Sequence, residues 1–250
     1  MPAIIEETIA QVGSVLLGKE HQIKLALTCL LLSGHLLIED LPGMGKTTLS
    51  HALAKVLNLS YNRIQFTSDL LPADILGVSV YEKDSSDFKF HPGPIFSQLV
   101  LADEINRTTP KSQSALLEAM EERQVTIEGR TRPLPLPFFV IATQNPNTQA
   151  GTFPLPESQL DRFLMRIELG YPDAVAERIL LKGEDRRAVL ERLVPSVNVH
   201  QLQELQVEAE QVKVSEALLD YIQRLVLYTR QAPEFAYGLS PRGALALLSC

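Results

Sequence analysis

The fold of this 250-residue chain is decided by the stretch Asp40-Leu41-Pro42-Gly43-Met44-Gly45-Lys46-Thr47-Thr48. The apolar residues 35–39 precede this stretch and are typical of a short buried strand. Residues 49–57 follow it, and their leucines and valine recur at the spacing of a helix. A strand, a glycine-rich loop and a helix in this order form the context of a phosphate-binding loop.

The residue types of this loop suit the chemistry of a phosphate group. Gly43 and Gly45 allow backbone N–H groups to approach phosphate oxygens without an intervening Cβ, and the N-terminus of the following helix adds partial positive charge. We expect Lys46 to reach the β- and γ-phosphates of a nucleotide and the Thr47 hydroxyl to ligate Mg²⁺. The loop residues expected to bind the nucleotide are Asp40, Pro42, Gly43, Met44, Gly45, Lys46, Thr47 and Thr48.

One position of the loop departs from the general pattern G-x-x-x-x-G-K-[ST]. Asp40 occupies the place of the first glycine, which usually eases the turn from strand to loop. Aspartate tolerates unusual backbone angles better than most residues, so we still expect the loop to form. The alternative is a glycine-rich turn ahead of an ordinary helix, which the flanking strand and helix disfavour.

Two acidic residues follow a second apolar strand, predicted at residues 97–102. Asp103 and Glu104 should therefore lie at the carboxyl edge of the sheet, where open α/β sheets bind ligands. There Asp103 would hold the hydration shell of Mg²⁺, and Glu104 would orient and activate an attacking water. Asn145 follows the next buried strand, and its carboxamide could hold that water or the γ-phosphate. The alternatives are an exposed acidic strand end and an Asn-Pro turn.

The composition disfavours several classes of function. A net charge of −7 and a pI near 5.3 argue against nonspecific binding to nucleic acid or to a membrane surface. Only two cysteines, Cys29 and Cys250, are present, which argues against a disulfide framework and fits a reducing compartment. The apolar runs are too short to span a membrane, and the acidic N-terminal residues are unlike a signal peptide. We therefore expect a cytoplasmic protein.

Strand and helix patterns alternate through the first two thirds of the chain, which predicts a mostly parallel sheet with helices on both faces. Helices are predicted at residues 3–16, 20–33 and from 110, strands at 35–39, 62–66, 97–102, 138–142 and 163–167, hairpins at 78–90 and 124–137, and a polar connection at 67–74. Beyond residue 170 the patterns are helical, at residues 174–181, 201–210 and 215–230. We therefore predict an α/β nucleotide-binding core at residues 1–170 and a small α-helical domain at 171–250, which the apolar pattern at 245–250 suggests is incomplete.

Four motifs, in this order, resemble the MoxR branch of the AAA+ ATPases, and the resemblance spans about residues 16–242. The motifs are Glu39-Asp40-Leu41-Pro42-Gly43-Met44-Gly45-Lys46-Thr47, Leu101-Ala102-Asp103-Glu104-Ile105-Asn106-Arg107, Ala142-Thr143-Gln144-Asn145-Pro146 and Gln159-Leu160-Asp161-Arg162-Phe163. The aspartate at the start of the loop is similar to the usual form of this branch. The resemblance implies the αβα core of a P-loop NTPase with a parallel sheet, an α-helical lid after it, and ATP and Mg²⁺ as cofactors.

The resemblance also implies roles for single residues. It assigns the Walker B role to Asp103 and Glu104, sensor 1 to Asn145, contact with adenine to Gly18, the arginine finger to Arg162 and sensor 2 to Arg242. An arginine finger reaches the nucleotide of a neighbouring subunit, where its guanidinium neutralises charge on the γ-phosphate. Judged without the resemblance, Arg162 would form a surface ion pair with Asp161 or Glu157, and Arg242 would be a surface cation at a helix start.

The resemblance implies an ATPase that assembles into a ring of identical subunits, a hexamer. Such proteins act in a chaperone-like way on a protein client, often with a partner that carries a von Willebrand factor A domain. The alternatives are a motor subunit like that of magnesium chelatase, a nucleic-acid motor, and a scaffold that binds ATP without hydrolysis. A nucleic-acid motor needs basic hairpin tips, and only one tip, with Arg130 and Arg132, offers them. The residue pair Glu104 and Asn145 argues against a scaffold.

Overall fold

A computed structural model describes residues 2–83, 86–145, 151–183 and 185–250. The strands of its main sheet are β1 (Leu36–Glu39), β2 (Tyr61–Gln65), β5 (Leu99–Asp103), β8 (Phe139–Gln144) and β9 (Met165–Ile167). All neighbours in this sheet are parallel, in the order β2-β5-β8-β1-β9. The predicted parallel sheet is therefore confirmed. Its order brings the carboxyl ends of β5, β8 and β1 side by side.

Two antiparallel hairpins lie outside the main sheet, as the sequence predicts. They pair β3 (Gly77–Glu82) with β4 (Asp87–Pro92) and β6 (Gln124–Ile127) with β7 (Arg130–Pro133). The guanidinium of Arg132 lies 3.9 Å from the centre of the Phe90 ring, so the two hairpins contact each other. Asp84 at the first hairpin tip, like Pro146 of the third motif, lies outside the described residues.

The central strands are continuously apolar because helices cover both faces of the sheet. All residues of β5 and β8 are buried. Alternate side chains of a strand point to opposite faces, so Leu99 and Leu101 join one core cluster while Val100 and Ala102 join the other. The helices α1 (Pro2–Val15), α2 (Glu20–Leu31) and α3 (Lys46–Val56) pack on the first cluster, and α4 (Pro72–Leu76) and α5 (Pro110–Glu122) on the second. The result is the predicted αβα arrangement.

The prediction of a polar connection at residues 67–74 is wrong for the end of this range, because α4 begins at Pro72. Proline is favourable in a first helical turn because its φ is already helical, and the Asp74 carboxylate accepts the Leu71 N–H at 2.9 Å. The Ile75 side chain of α4 is completely buried in the core. A helix of five residues is too short to show helical periodicity. Two other short helices escaped prediction for this reason, α6 (Glu157–Leu160) and α8 (Arg186–Arg192).

The part of the chain after β9 is helical, as predicted. Besides α8 it contains α7 (Ala174–Leu181), α9 (Val199–Glu210), α10 (Glu216–Gln231) and α11 (Pro241–Ser249). Val197 and Leu202 join the first core cluster, and the Gln206 side chain donates to the Leu30 carbonyl oxygen at 2.8 Å, so α9 packs on the core. The helices α10 and α11 pack on each other. The boundary between residues 170 and 171 stays a prediction. Across the described ranges, none of the helices is long and apolar enough to cross a membrane.

A buried histidine, just before β1, is hydrogen-bonded to β8 and to α5. His35 Nδ1 accepts the Val140 N–H at 3.0 Å, and its Nε2 donates to the Met120 carbonyl oxygen at 3.2 Å. Both ring nitrogens are thus used by a neutral imidazole. Burial lowers the pKa of His35 from 6.5 to about 4, although the bond to Met120 opposes this shift. The neutral form is therefore part of the native structure.

We predict that protonation of His35 in the unfolded chain weakens the fold in mild acid. The folded pKa is depressed, so the contribution of His35 to stability is complete above pH 6.5 and is lost as the pH falls towards 4. The full pKa difference corresponds to about 3 kcal/mol. Urea unfolding from pH 7.5 to 4.5 should show a smaller loss of stability for His35→Gln than for the wild type.

The matched control is His200→Gln, because the His200 ring is largely exposed on α9. This variant should lose as much stability as the wild type over the same pH range. Nuclear magnetic resonance titration of the His35 ring gives an independent measurement that does not depend on unfolding. A native His35 that titrates near pH 6.5 would contradict the prediction.

Candidate functional site

The glycine-rich loop joins the carboxyl end of β1 to α3, and its backbone requires glycine at two positions. Gly43 has φ +87° and Gly45 has φ +94°, a region that other residues rarely adopt. A Cβ at Gly45 would also lie 2.7 Å from the Leu16 side chain. Gly45 caps α3, which begins at Lys46. The first N–H groups of α3 lack acceptors within the helix and are available to an anion.

Lys46 lies inside the predicted site and is almost completely buried. Its ammonium donates to the Asp40 carbonyl oxygen at 2.6 Å and to the Asn145 side-chain oxygen at 3.0 Å. Burial lowers the pKa of Lys46, while the carboxylates of Asp103, Asp40 and Glu104 oppose that shift. Both hydrogen-bond acceptors of the ammonium are neutral oxygens, so they leave its positive charge available to an anionic ligand.

Asp103 ends β5 with a carboxylate that has two protein partners. Its Oδ2 accepts from the Arg63 guanidinium at 2.7 and 3.1 Å, and its Oδ1 accepts from the Thr143 hydroxyl at 2.6 Å. With both oxygens engaged, the carboxylate is better placed to hold Mg²⁺ through bound water than by direct ligation.

Glu104 follows Asp103 in a left-handed conformation, with φ +58°, which is uncommon for a residue other than glycine. Its N–H donates to the Thr143 hydroxyl oxygen at 2.9 Å. The Glu104 carboxylate accepts from Asn145 at 3.0 Å, from Gln65 at 3.0 Å and from Arg107 at 2.8 Å. The turn and these three donors fix the direction of the carboxylate.

Nine of the predicted residues therefore meet around one cavity of about 300 Å³, whereas Met44 of the same loop packs against the first core cluster. The cavity is lined by Pro42, Gly43, Gly45, Lys46, Thr47, Thr48, Asp103, Glu104 and Asn145. Within the described residues, no hydrogen bond reaches the Thr47 hydroxyl, so its oxygen is available to ligate a metal ion. A helix N-terminus, a buried ammonium and two acidic residues form a donor set that fits a nucleotide phosphate with Mg²⁺.

Gly18 lies beside a second cavity, next to the start of α7. Its φ is +69°, and a Cβ there would lie 2.9 Å from the Ala176 Cβ. Gly18 lines this cavity together with Leu16, whose side chain also reaches Gly45. The predicted adenine site is thus adjacent to the phosphate-binding loop through Leu16.

Asp40 belongs to the loop, but its carboxylate is directed at the protein. Its Oδ2 accepts the N–H groups of Leu169 at 2.8 Å and Gly170 at 2.6 Å, and its Oδ1 accepts the Leu41 N–H at 2.7 Å. Asp40 is not among the residues that line the loop cavity. A role of Asp40 in nucleotide binding stays a prediction, and its carbonyl oxygen, bonded to Lys46, is the group closest to such a role.

The two predicted catalytic arginines lie apart from the loop cavity and share one carboxylate. Arg162 Nε is 2.9 Å from Glu121 Oε2, in an ion pair that is not aligned as a hydrogen bond, and Arg242 binds Oε1 of the same Glu121. Arg242, and to a smaller extent Arg162, lowers the pKa of Glu121. The ion pair of Arg162 with Asp161 or Glu157, considered from sequence, is not the one formed. Asp161 instead accepts from the Ser240 hydroxyl at 2.7 Å.

Several residues of the site were missed from sequence. Arg63 and Gln65 alternate on β2, and the register places Gln65 beside Asp103. Polar residues at alternate positions of a strand that neighbours Asp103 were an available signal. Thr143 and Arg107 lie within the quoted motifs but were given no role. Glu121 lies on a helix, far from every motif, and the sequence contained no signal for it.

Comparison with known proteins agrees with the geometry. The family model of the ATPases associated with various cellular activities matches residues 35–165. The Bacillus subtilis protein YeaC is 46% identical over 98% of this chain and 77% of its own length, and the chaperone MoxR1 of Mycobacterium tuberculosis is 39% identical over 98% of this chain and 67% of its own length. The crystal structure of an ATPase candidate from Cytophaga hutchinsonii superimposes with a TM-score of 0.87 at 40% identity, covering 99% of this chain and 78% of that one.

We predict that Lys46→Ala weakens nucleotide binding on the order of a hundredfold or more, because it removes charge-assisted hydrogen bonds from a buried anion site. Lys55→Ala is the matched control on the same helix, since Lys55 Nζ donates to the Leu190 carbonyl oxygen outside the cavity. Titration calorimetry with ATP and Mg²⁺ measures both variants. Equal affinities for the two variants would rule out Lys46 as a phosphate ligand.

Proposed function

Because the chain belongs to the MoxR branch of the AAA ATPases, we propose that it binds ATP with Mg²⁺ at the loop cavity and hydrolyses it there. One observation carries the proposal: the Asn145 carboxamide joins Lys46, on the phosphate-binding loop, to Glu104. This connection puts a phosphate-binding cation and a carboxylate base on opposite sides of one neutral group. A water near Glu104 and a γ-phosphate near Lys46 would then face each other.

Each residue has a distinct task in this proposal. Lys46 and the first N–H groups of α3 bind and neutralise the phosphates. Thr47 and Asp103 would hold Mg²⁺, Asp103 through water, and the ion would supply positive charge beside the phosphate oxygens. Glu104 accepts a proton from the attacking water. Asn145 orients that water or the γ-phosphate by hydrogen bonding.

We propose further that the active form is a ring in which Arg162 acts on the nucleotide of the neighbouring subunit, with Arg242, the predicted sensor 2, beside it. The support is their position: both lie outside the loop cavity and both bind Glu121, so they belong to one surface. A guanidinium at the γ-phosphate is worth roughly 10³–10⁵ in rate in well-studied nucleotide hydrolases. A hexamer is the ring size that the resemblance implies.

The work done by ATP turnover is proposed to be chaperone-like remodelling of a protein client or of a partner with a von Willebrand factor A domain. Similarity to the chaperone MoxR1 supports this class of function. The first hairpin exposes Tyr81 and Phe88, which suits contact with protein. Arg132 of the second hairpin stacks on Phe90 and donates to the Ile127 carbonyl oxygen, so it is a poor candidate for binding nucleic acid.

We predict that Glu104→Gln keeps ATP affinity near the wild-type value while turnover falls on the order of a hundredfold or more, because the amide cannot accept the proton from water. Glu118→Gln, an exposed change on α5, is the matched control. Steady-state phosphate release and ATP titration measure the two quantities separately. Wild-type turnover by Glu104→Gln would remove Glu104 from the role of base. The same variant, held in the ATP state, is the reagent for capturing the client.

The assembly proposal predicts complementation between two inactive variants. Arg162→Ala should bind ATP almost normally yet lack activity, and Lys46→Ala should lack binding. Random mixing at equal ratio places a wild-type Arg162 against an intact loop at about one quarter of the interfaces of a head-to-tail ring. ATPase activity should therefore appear on mixing and pass through a maximum near equal amounts.

Two controls make this experiment decisive. Arg192→Ala on α8, exposed and remote from Glu121 in the chain, should remain active alone. Exchange of subunits should be confirmed by energy transfer between labelled protomers. Exchanging mixtures with no activity at any ratio, or a monomer with full activity, would defeat the assignment in trans.

A further inference from the structure

The segment that leads from the sheet to α7 is held from two directions, by the Asp40 and Lys19 side chains. We call residues 168–172 the crossing segment. The Asp40 carboxylate accepts the N–H groups of Leu169 and Gly170. From the other direction, the Lys19 ammonium donates to the Tyr171 carbonyl oxygen, and Lys19 is itself 6% exposed. The crossing segment is therefore attached both to the phosphate-binding loop and to the residue after Gly18.

The crossing segment continues directly into the first turn of α7. This turn and Gly18 together form the surface that we call the wall. Asp173 caps α7 by accepting the N–H groups of Val175 at 2.9 Å and Ala176 at 2.8 Å. A Cβ added to Gly18 would lie 2.9 Å from the Ala176 Cβ and 3.3 Å from Asp173 Oδ2, so the first turn of α7 lies against Gly18. The position of this wall follows from the position of the crossing segment.

Glycine at position 40 would satisfy the general loop pattern but could not make this connection. Two backbone N–H groups would then lose the oxygen that accepts both of them. A hydrogen bond to a charged acceptor is stronger than one between neutral groups, and backbone donors away from bulk water are costly to leave without an acceptor. The carboxylate thus explains why an aspartate can replace the first glycine of the loop.

We propose that Asp40 is a positioning residue that fixes the distance between the phosphate-binding loop and the wall formed by Gly18 and the first turn of α7. A nucleotide that contacts both must match this distance, so Asp40 favours ligands with a base and a ribose over a bare chain of phosphates. This inference rests on the proposed function, because it takes the loop cavity as the phosphate site, and on the predicted contact of Gly18 with adenine. It gives Asp40 a task that involves no contact with the phosphates.

The test compares ATP with inorganic tripolyphosphate in the full chain, using calorimetry with Mg²⁺. The wild type should prefer ATP clearly. In Asp40→Gly the affinity for tripolyphosphate should stay within about threefold of the wild-type value, while the affinity for ATP falls tenfold or more. Asp40→Asn keeps one oxygen that can accept from Leu169 and Gly170, and it should restore most of the preference for ATP.

Hydrogen exchange in the absence of ligand tests the connection itself. The amides of Leu169 and Gly170 should exchange at least tenfold faster in Asp40→Gly than in the wild type. Asp74→Ala is the matched control, because Asp74 also accepts a backbone N–H but does so at α4. It should leave both the ligand preference and the exchange of residues 168–172 unchanged.

The outcomes separate this inference from the proposed function. If the wild type binds neither ATP nor tripolyphosphate, the proposed function fails and the inference fails with it. If the wild type binds both and Asp40→Gly loses both equally, the inference alone is overturned, because Asp40 then supports only its own loop. Unchanged exchange at Leu169 and Gly170 overturns it as well, as does an Asp40→Asn variant no better than Asp40→Gly.

Discussion

A single carboxamide joins the charged groups of the candidate site. Asn145 accepts from the Lys46 ammonium and donates to the Glu104 carboxylate, so the cation of the loop and the acid after β5 are connected through a neutral group. A direct ion pair between them would neutralise both charges and occupy the groups needed for ligand and water. The sheet order makes this arrangement possible, because β8 lies between β1 and β5 and delivers Asn145 to the space between their ends.

The same sheet edge explains the supporting residues. Thr143, on β8, donates to Asp103 and accepts from the Glu104 N–H, so one hydroxyl links the two acids that follow β5. Arg63 and Gln65 on β2 reach Asp103 and Glu104 from the opposite neighbour. Each acid is thus held by both strands adjacent to β5. Such a support fixes a left-handed residue at Glu104 that would otherwise be unfavourable.

The structure separates the charged residues predicted for the site into two groups. The loop cavity holds Lys46, Asp103 and Glu104, while Arg162 and Arg242 are gathered on Glu121 elsewhere on the surface. The proposed action of Arg162 in trans rests on this separation, because Arg162 does not line the cavity of its own chain. The contact of Ser240 with Asp161 adds a second connection at the same place, so α11 and the turn after α6 hold the two arginines together beside the end of α5.

The sequence by itself determined the elements and their order. Strands such as β5 and β8 are continuously apolar, and the loop at residues 40–48 contains the glycines that its positive φ angles require, so local physics is sufficient to recognise them. Parallel strands place their carboxyl ends together, so Lys46, Asp103, Glu104 and Asn145 could be expected at one site before any distance was known. Short helices such as α4 could not be recognised in this way, because a segment of five residues is too short to show helical periodicity.

Only the tertiary structure decided which partners the charged side chains take. Glu121 lies on α5 and meets Arg162 and Arg242, about 40 and about 120 residues later in the chain, and the Asp40 carboxylate meets Leu169 and Gly170. These contacts depend on the packing of whole elements, for which spacing in the sequence contains no information. Long-range pairing of exposed or half-buried charges is chosen by geometry and desolvation together, and both exist only once the chain has folded.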